Sequence, residues 1–277
     1  MLRRDENVGP SRDLRERKVA KLEFDDEGSR LVEKFNASAG AKTRRARILD
    51  ALGLTPGCRV LDVGSGPGHQ AFEMSSVVGS SGRVDGVDPA DSAIAIARRR
   101  CSDLTNVNFQ PGEATKLPFG DSIFDAAMSS QVFEYLQDVP GALAEMFRIL
   151  KSGGRVLIHD TDWGATLWRA SDEERMARIM RVWDGHLVDP HLPQTLGQRL
   201  AAAGFGNVRA ETIVQLEIDY DPSSVSAILM KFVVDYATSH GIPQDEADAW
   251  ANDLRELSSR DEYFFSSNEY IVTGIKP

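Results

Sequence analysis

The chain has 277 residues, 42% apolar and 27% charged, enough to bury a core without metal or disulfide staples. Its 32 Lys+Arg against 42 Asp+Glu give a formal charge of −10, which argues against a surface that coats nucleic acid. Two cysteines, Cys58 and Cys101, exclude a disulfide framework and favour a reducing compartment. No run of about 18 apolar residues predicts a membrane span. The charged start MLRRDENVGPSRDLRERK lacks the apolar stretch of a signal peptide, so a cytoplasmic location is expected.

Residues 1–45 read as an N-terminal arm or lid: a charged, apolar-poor stretch to about residue 30, then a helix broken near Gly40. Ile48, Leu49 and Leu52 give that helix an apolar face, and Thr55-Pro56-Gly57 turns the chain. Strands then alternate with helices. Strands are expected at 58–64, 82–89, 106–112, 122–130 and 154–160. Helices are expected at 68–78, at 92–100 with Asp91 as its cap, and at 139–150, stopped by Ser152-Gly153-Gly154. This alternation predicts βαβ units and a parallel sheet. Beyond Trp163 the pattern changes. Met176, Ile179, Met180, Trp183 and Leu187 share one helical face, and a second helix covers 192–205. A strand follows at 208–218, then a helix through Val225, Ile228, Leu229, Phe232, Val233 and Tyr236. A helix at 246–257 precedes closing strand material.

The chemistry concentrates in Val60-Leu61-Asp62-Val63-Gly64-Ser65-Gly66-Pro67-Gly68, where a buried strand runs into a glycine-rich turn that opens a helix. Glycines allow positive φ and close ligand approach, and the helix start offers free N–H groups. Such a turn binds a nucleotide-like ligand at the carboxyl ends of the strands. The dinucleotide fingerprint is G-x-G-x-x-G, whereas here the spacing is G-x-G-x-G with His69 in the next place. Asp62, two residues before the first glycine, would repel a pyrophosphate but suit a ligand carrying an ammonium and a sulfonium. Asp88-Pro89 ends the second strand, where a carboxylate can hold both hydroxyls of an adenosine ribose.

With VLDVGSGPG (60–68), GVDP (86–89), PGEATKLPFGDSIFDAAMSS (111–130) and ALAEMFRILKSGGRVLIHD (142–160) in order, the chain resembles a class I S-adenosylmethionine-dependent methyltransferase of the ubiquinone/menaquinone-biosynthesis type. The resemblance covers roughly 45–277. It implies an α/β, Rossmann-like, doubly wound seven-stranded sheet, mostly parallel with the last strand antiparallel, in a domain at 46–277. Helical cap segments near 163–192 and 220–260 are expected over the strand ends. It implies S-adenosyl-L-methionine as cofactor, with Gly64, Ser65, Gly66 and Gly68 in its loop and Asp62 near the methionine ammonium. Asp88 and Pro89 would lie at the ribose, Gly112-Glu113-Ala114 at the adenine, and Ser129, Ser130 and Gln131 at the methionine end. Relatives commonly have Asp in place of Glu113. Quinone-directed relatives follow the fourth strand with a His-rich start, where this chain has Gln131-Val132-Phe133-Glu134-Tyr135.

A general base is required only where the acceptor must lose a proton. His159, at the end of the fifth strand, and His191 are the candidates, with Asp162 beside the transferring methyl; each is equally suited to local bonding. Trp163, Trp183, His186, Phe232 and Tyr236 are expected around the acceptor, and an apolar, Trp- and Met-rich cover predicts a hydrophobic or aromatic small molecule. No His or Cys pair has metal-site spacing, so no metal is expected. A homodimer is compatible with the sequence, as are two rival readings: a nicotinamide-dependent oxidoreductase and a non-catalytic cofactor-binding protein. A nucleic-acid methyltransferase is disfavoured by Ser129-Ser130-Gln131-Val132, which is no Asn-Pro-Pro-Tyr-like element.

Overall fold

A computed structural model describes residues 33–277; the expectation of an arm over residues 1–32 lies outside the described residues. Strands β1 (Arg59–Val63), β2 (Arg83–Asp88), β3 (Val107–Pro111), β4 (Phe124–Ser130) and β5 (Leu150–Thr161) are all parallel. Helix α1 (Ala39–Leu52) precedes β1, and α2 (His69–Val78), α3 (Asp91–Arg100) and α4 (Val139–Ile149) lie between the strands. The second half adds β6 (Leu167–Trp168), α5 (Glu173–Trp183), α6 (Pro193–Ala202), β7 (Gly206–Glu217), α7 (Val225–Ser239), α8 (Gln244–Ser259) and β8 (Phe265–Ile275).

The sheet runs β3-β2-β1-β4-β5-β8, with β7 outside β8 and the two-residue β6 beside the start of β8. Among the described residues it therefore has eight strands where seven were expected, the extra one being β6. The last strand lies inside the sheet, antiparallel to both β5 and β7. The chain order reverses between β1 and β4, the switch point at which open α/β sheets bind ligands.

Alternation along the strands sorts the core into two layers. Val60 packs with Ile48 and Leu52 of α1 and Met74 and Val78 of α2, whereas Leu61 and Val63 face Leu143 and Met146 of α4 and Leu196 of α6. A third apolar cluster lies apart from these two. It joins α5, α7 and α8 through Trp183, Val233 and Trp250, and reaches the sheet through Trp168 and Phe265. Trp168 sits edge-on to Trp250 at 5.7 Å and against Phe265 at 4.6 Å.

Three local expectations change. The helix break falls at Ser38, whose hydroxyl accepts the Ala41 N–H and caps α1, so Gly40 lies inside the helix. Asp91 is the first residue of α3 rather than its cap, the capping position being held by Ala90. Helix α4 passes straight into β5 at Leu150, and the Ser152-Gly153-Gly154 stretch is absorbed as an irregularity between Phe124 and Ala126 of the neighbouring strand.

Candidate functional site

One cavity of about 410 Å3 opens at the carboxyl ends of β1, β2, β4 and β5. Its first end is made by the glycine turn. The turn is held by Gly64 and Ser65, whose N–H groups donate to Val87 O at 2.8 and 2.9 Å. Gly64 has φ +75° and a β-carbon there would run into the Val132 side chain, so this position excludes other residues. Gly66 (φ +49°) has open space where a β-carbon would stand, which leaves its backbone free for a close approach. Asp88 braces the turn: its Oδ2 accepts from Gly66 N and its Oδ1 from Ala90 N, both at 2.9 Å.

Five buried polar atoms of lining residues have no hydrogen-bond partner among the described residues: Asp62 Oδ2, Ser65 Oγ and Gln70 Nε2 at this end, and Trp183 Nε1 and His186 Nε2 at the other. Orphaned polar groups in a cavity are a cost unless a ligand satisfies them. Burial, and then the nearby Asp88 charge, push the Asp62 carboxyl up to about 7. A cationic ligand reverses both effects, and an anionic one worsens them. The residues thus fit a polar ligand that brings a positive charge to Asp62.

The other end of the cavity is aromatic. Trp163, from the turn after β5, lies edge-on to Trp183 at 5.8 Å, and Phe232 of α7 completes the wall. Trp163 is positioned by its indole N–H, which donates to Glu134 Oε2 at 2.9 Å. Burial, and then the Asp160 charge, hold the Glu134 carboxyl well above the ordinary range. Tyr135 and His186 also line this end.

The structure divides the expected site residues. Asp62, Gly64, Ser65, Gly66, Asp88 and Ser130 line the cavity at the glycine-turn end, and Gln131, Trp163, Trp183, His186 and Phe232 line it elsewhere. Gly68 lies one residue beyond Pro67, which does line it. Gly112 N donates to Asp88 O at 3.2 Å, so the Gly112-Glu113-Ala114 turn and Pro89 lie beside Asp88 but off the cavity wall. Ser129 turns away and its hydroxyl donates to Val63 O at 2.8 Å, tying β4 to β1. Tyr236 stands behind the wall, edge-on to Trp183 and stacked on His240 at 3.9 Å.

The expected catalytic trio does not reach the cavity wall. His159 is fully buried and both ring nitrogens are used: Nδ1 lies 2.9 Å from Ser130 Oγ and Nε2 3.1 Å from Glu269 Oε2. Burial outweighs Glu269 and lowers the His159 pKa, while Arg44 and His159 outweigh burial and keep Glu269 ionised. A neutral imidazole donating from Nε2 to this carboxylate and accepting from Ser130 at Nδ1 is a closed structural bond, not a base. Asp162 accepts from Gln194 Nε2 at 2.8 Å and pairs with His191 Nδ1 at 2.7 Å, fastening the chain after β5 to the start of α6.

The structure adds residues no motif announced. Arg44 and Arg45 of α1 line the cavity, Arg44 bonded to Glu269 at 3.3 Å and Arg45 to Glu73 at 2.6 Å. Glu269 reaches the site because Thr161 of β5 pairs with it across the antiparallel β8. An isolated Glu in a polar-apolar alternation carries no sequence signal for this. His69 lines the turn with its Nε2 2.9 Å from Arg100, and burial, followed by that guanidinium, lowers its pKa to about 4.

A methyltransferase-domain family matches residues 54–213, which include the glycine turn and Asp88. The chain belongs to this family, that of the class I S-adenosylmethionine-dependent methyltransferases. It is 32% identical over 178 residues to the ubiquinone/menaquinone biosynthesis C-methyltransferase UbiE of Serratia proteamaculans, covering 58% of this chain and 71% of that one. It is 31% identical over 208 residues to phosphoethanolamine N-methyltransferase 1 of Zea mays, covering 72% of this chain and 39% of that one. Among solved structures, phosphoethanolamine N-methyltransferase 2 of Haemonchus contortus with S-adenosyl-L-methionine superposes with a TM-score of 0.62 at 19% identity. That superposition covers 92% of this chain and 58% of that one and shows the shared fold. For several curated relatives the chain spans about half of their length or less. Among the described residues, no helix is long and apolar enough to cross a membrane, and no His, Cys, Asp and Glu group is placed to hold a metal ion.

Proposed function

We propose that the protein transfers a methyl group from S-adenosyl-L-methionine to a small, flat, apolar or aromatic acceptor. The observation that carries this is the continuity of the cavity: an orphaned polar cradle at Asp62, Ser65 and Gln70 continues into a wall of Trp163, Trp183 and Phe232. Asp62 and the glycine turn would hold the methionine end, Asp88 the ribose hydroxyls, and the Gly112-Glu113-Ala114 turn the adenine. The cofactor supplies an electrophilic methyl on a sulfonium. The chain supplies binding, alignment and exclusion of water, and proximity with orientation is worth ~7–11 kcal/mol of such a barrier. The aromatic wall favours a ring over a phosphorylated amine. Among the described residues, the two arginines that line the cavity are bonded to Glu269 and Glu73, so neither is dedicated to a phosphate.

Titration calorimetry with S-adenosylmethionine, S-adenosylhomocysteine and a nicotinamide dinucleotide tests the cofactor. Tight binding of the first two is expected, and preference for the dinucleotide would overturn the reading. Release of S-adenosylhomocysteine against a panel of phenols, quinols and amines tests the acceptor.

A further inference from the structure

His186 differs from His69, the other described histidine that lines the cavity. Its side chain is 1% exposed, it lines the aromatic end, and its Nε2 has no hydrogen-bond partner among the described residues. Its Nδ1 lies against Trp183 O. A backbone carbonyl only accepts, so Nδ1 carries the proton and Nε2 is left as a lone pair. The ring is held by Trp183 at 3.9 Å and by Tyr236 and Trp163 at 5.6 and 5.9 Å. A fixed tautomer and an unsatisfied acceptor make a site that awaits a proton donor; Nε2 is covered by its neighbours, so the acceptor reaches it as the aromatic wall moves aside.

Resting on the methyltransferase reading, we propose that His186 is the catalytic base and that the acceptor is a flat aromatic ring bearing a hydroxyl, methylated at oxygen. The hydroxyl donates its proton to His186 Nε2. As the O–CH3 bond forms, the S–CH3 bond breaks and its electron pair stays on sulfur, giving the neutral thioether. The O–H bond pair stays on oxygen, and the proton passes to Nε2 and then to solvent on opening. The carboxylates that line the cavity, Asp62, Asp88 and Glu269, come from β1, β2 and β8, none from the elements that box the imidazole. A neutral hydroxyl therefore suits this end better than an ammonium.

The titratable groups around the imidazole are consistent with a neutral base. Burial, above all, pushes the phenols of Tyr135 and Tyr236 up, so both stay uncharged. Glu134, behind Trp163, and Asp184, two residues before His186, are both raised by burial. Burial lowers His186 to about 4, so its lone pair is available throughout the neutral range. A weak base suffices, because the hydroxyl becomes far more acidic as its oxygen bonds to carbon.

The test uses 1-naphthol and its non-donating ether, 1-methoxynaphthalene, on protein loaded with S-adenosylhomocysteine. Wild type is expected to bind naphthol about tenfold more tightly than the ether. His186→Phe, which keeps the ring contacts, is expected to equalise the two while retaining S-adenosylhomocysteine affinity. With saturating S-adenosylmethionine, naphthol methylation by wild type should be flat from about pH 5.5 to 8. In His186→Phe and His186→Gln it should rise about tenfold per pH unit, following naphthol's own ionisation. Equal binding of naphthol and ether by wild type, no binding of either, or a flat profile in both variants would overturn the proposal. Failure of wild type to bind S-adenosylhomocysteine would instead overturn the methyltransferase reading. Thermal unfolding of each variant confirms that it is folded.

Discussion

Asp62 and Asp88 end neighbouring strands, 26 positions apart in sequence, and their surroundings give them different work. Asp88 is satisfied by two backbone N–H groups and shapes the turn even without ligand. Asp62 has an orphaned oxygen and a pKa near 7. Its folded pKa is raised above the unfolded value, so between about pH 4 and 7 the folded state holds a proton that the unfolded chain has released. Stability of the free protein is therefore expected to fall as pH rises through that window, and Asp62→Asn to remove this component, as read by urea unfolding across pH. Cofactor binding has the opposite slope: affinity should rise with pH up to about 7 and then level off, because the ammonium needs the carboxylate. A pH-independent affinity measured by calorimetry would count against the Asp62 role. Asp88→Ala should weaken binding by ~1–3 kcal/mol, through lost hydroxyl bonds and a loosened Gly66 turn. Unchanged affinity would remove Asp88 from the ribose site.

At the scale of elements, the glycine turn was legible because its chemistry is local: a strand, three glycines with positive φ and a helix start within ten residues. Gly64→Ala should cost at least ~1–3 kcal/mol, from left-handed backbone strain together with the Val132 clash, and chemical denaturation would measure it. Ser129→Ala should cost about 1 kcal/mol by removing a buried bond between strands, with cofactor affinity nearly unchanged. The histidines were not legible, because spacing along the chain does not say which ring nitrogen finds a partner. His159 was expected to act at a strand end, and the register of β5 on β8 instead places Glu269 against it. His191 is taken by Asp162, and His186 keeps a lone pair only because its partner is the carbonyl of Trp183.

At the scale of the molecule, the cavity has one wall from the sheet and another from α5, α7 and the turn after β5. The helical wall belongs to the third apolar cluster, which reaches the sheet where Trp168 meets Phe265 of β8. Trp168 is 1% exposed and does not line the cavity. Trp168→Ala should therefore lower stability by ~3–5 kcal/mol yet change S-adenosylhomocysteine affinity only a few-fold. A large loss of affinity with intact folding would show that the helical wall shapes the cofactor end as well. Ligand at 100 times its Kd should add ~2.7 kcal/mol to the stability of the whole, raising Tm accordingly.

By itself the sequence determined the alternating sheet, the glycine turn and the acidic residues that end β1 and β2, because period, turn chemistry and strand ends are written within short stretches of chain. Only the tertiary structure decided what faces the acceptor. Arg44 meets Glu269 across 225 positions, and the cavity gathers residues from opposite ends of the chain. Which buried polar atom is left without a partner depends on those long-range pairings. Asp62 Oδ2 and His186 Nε2 are two such atoms on the cavity wall, and the binding tests are aimed at them.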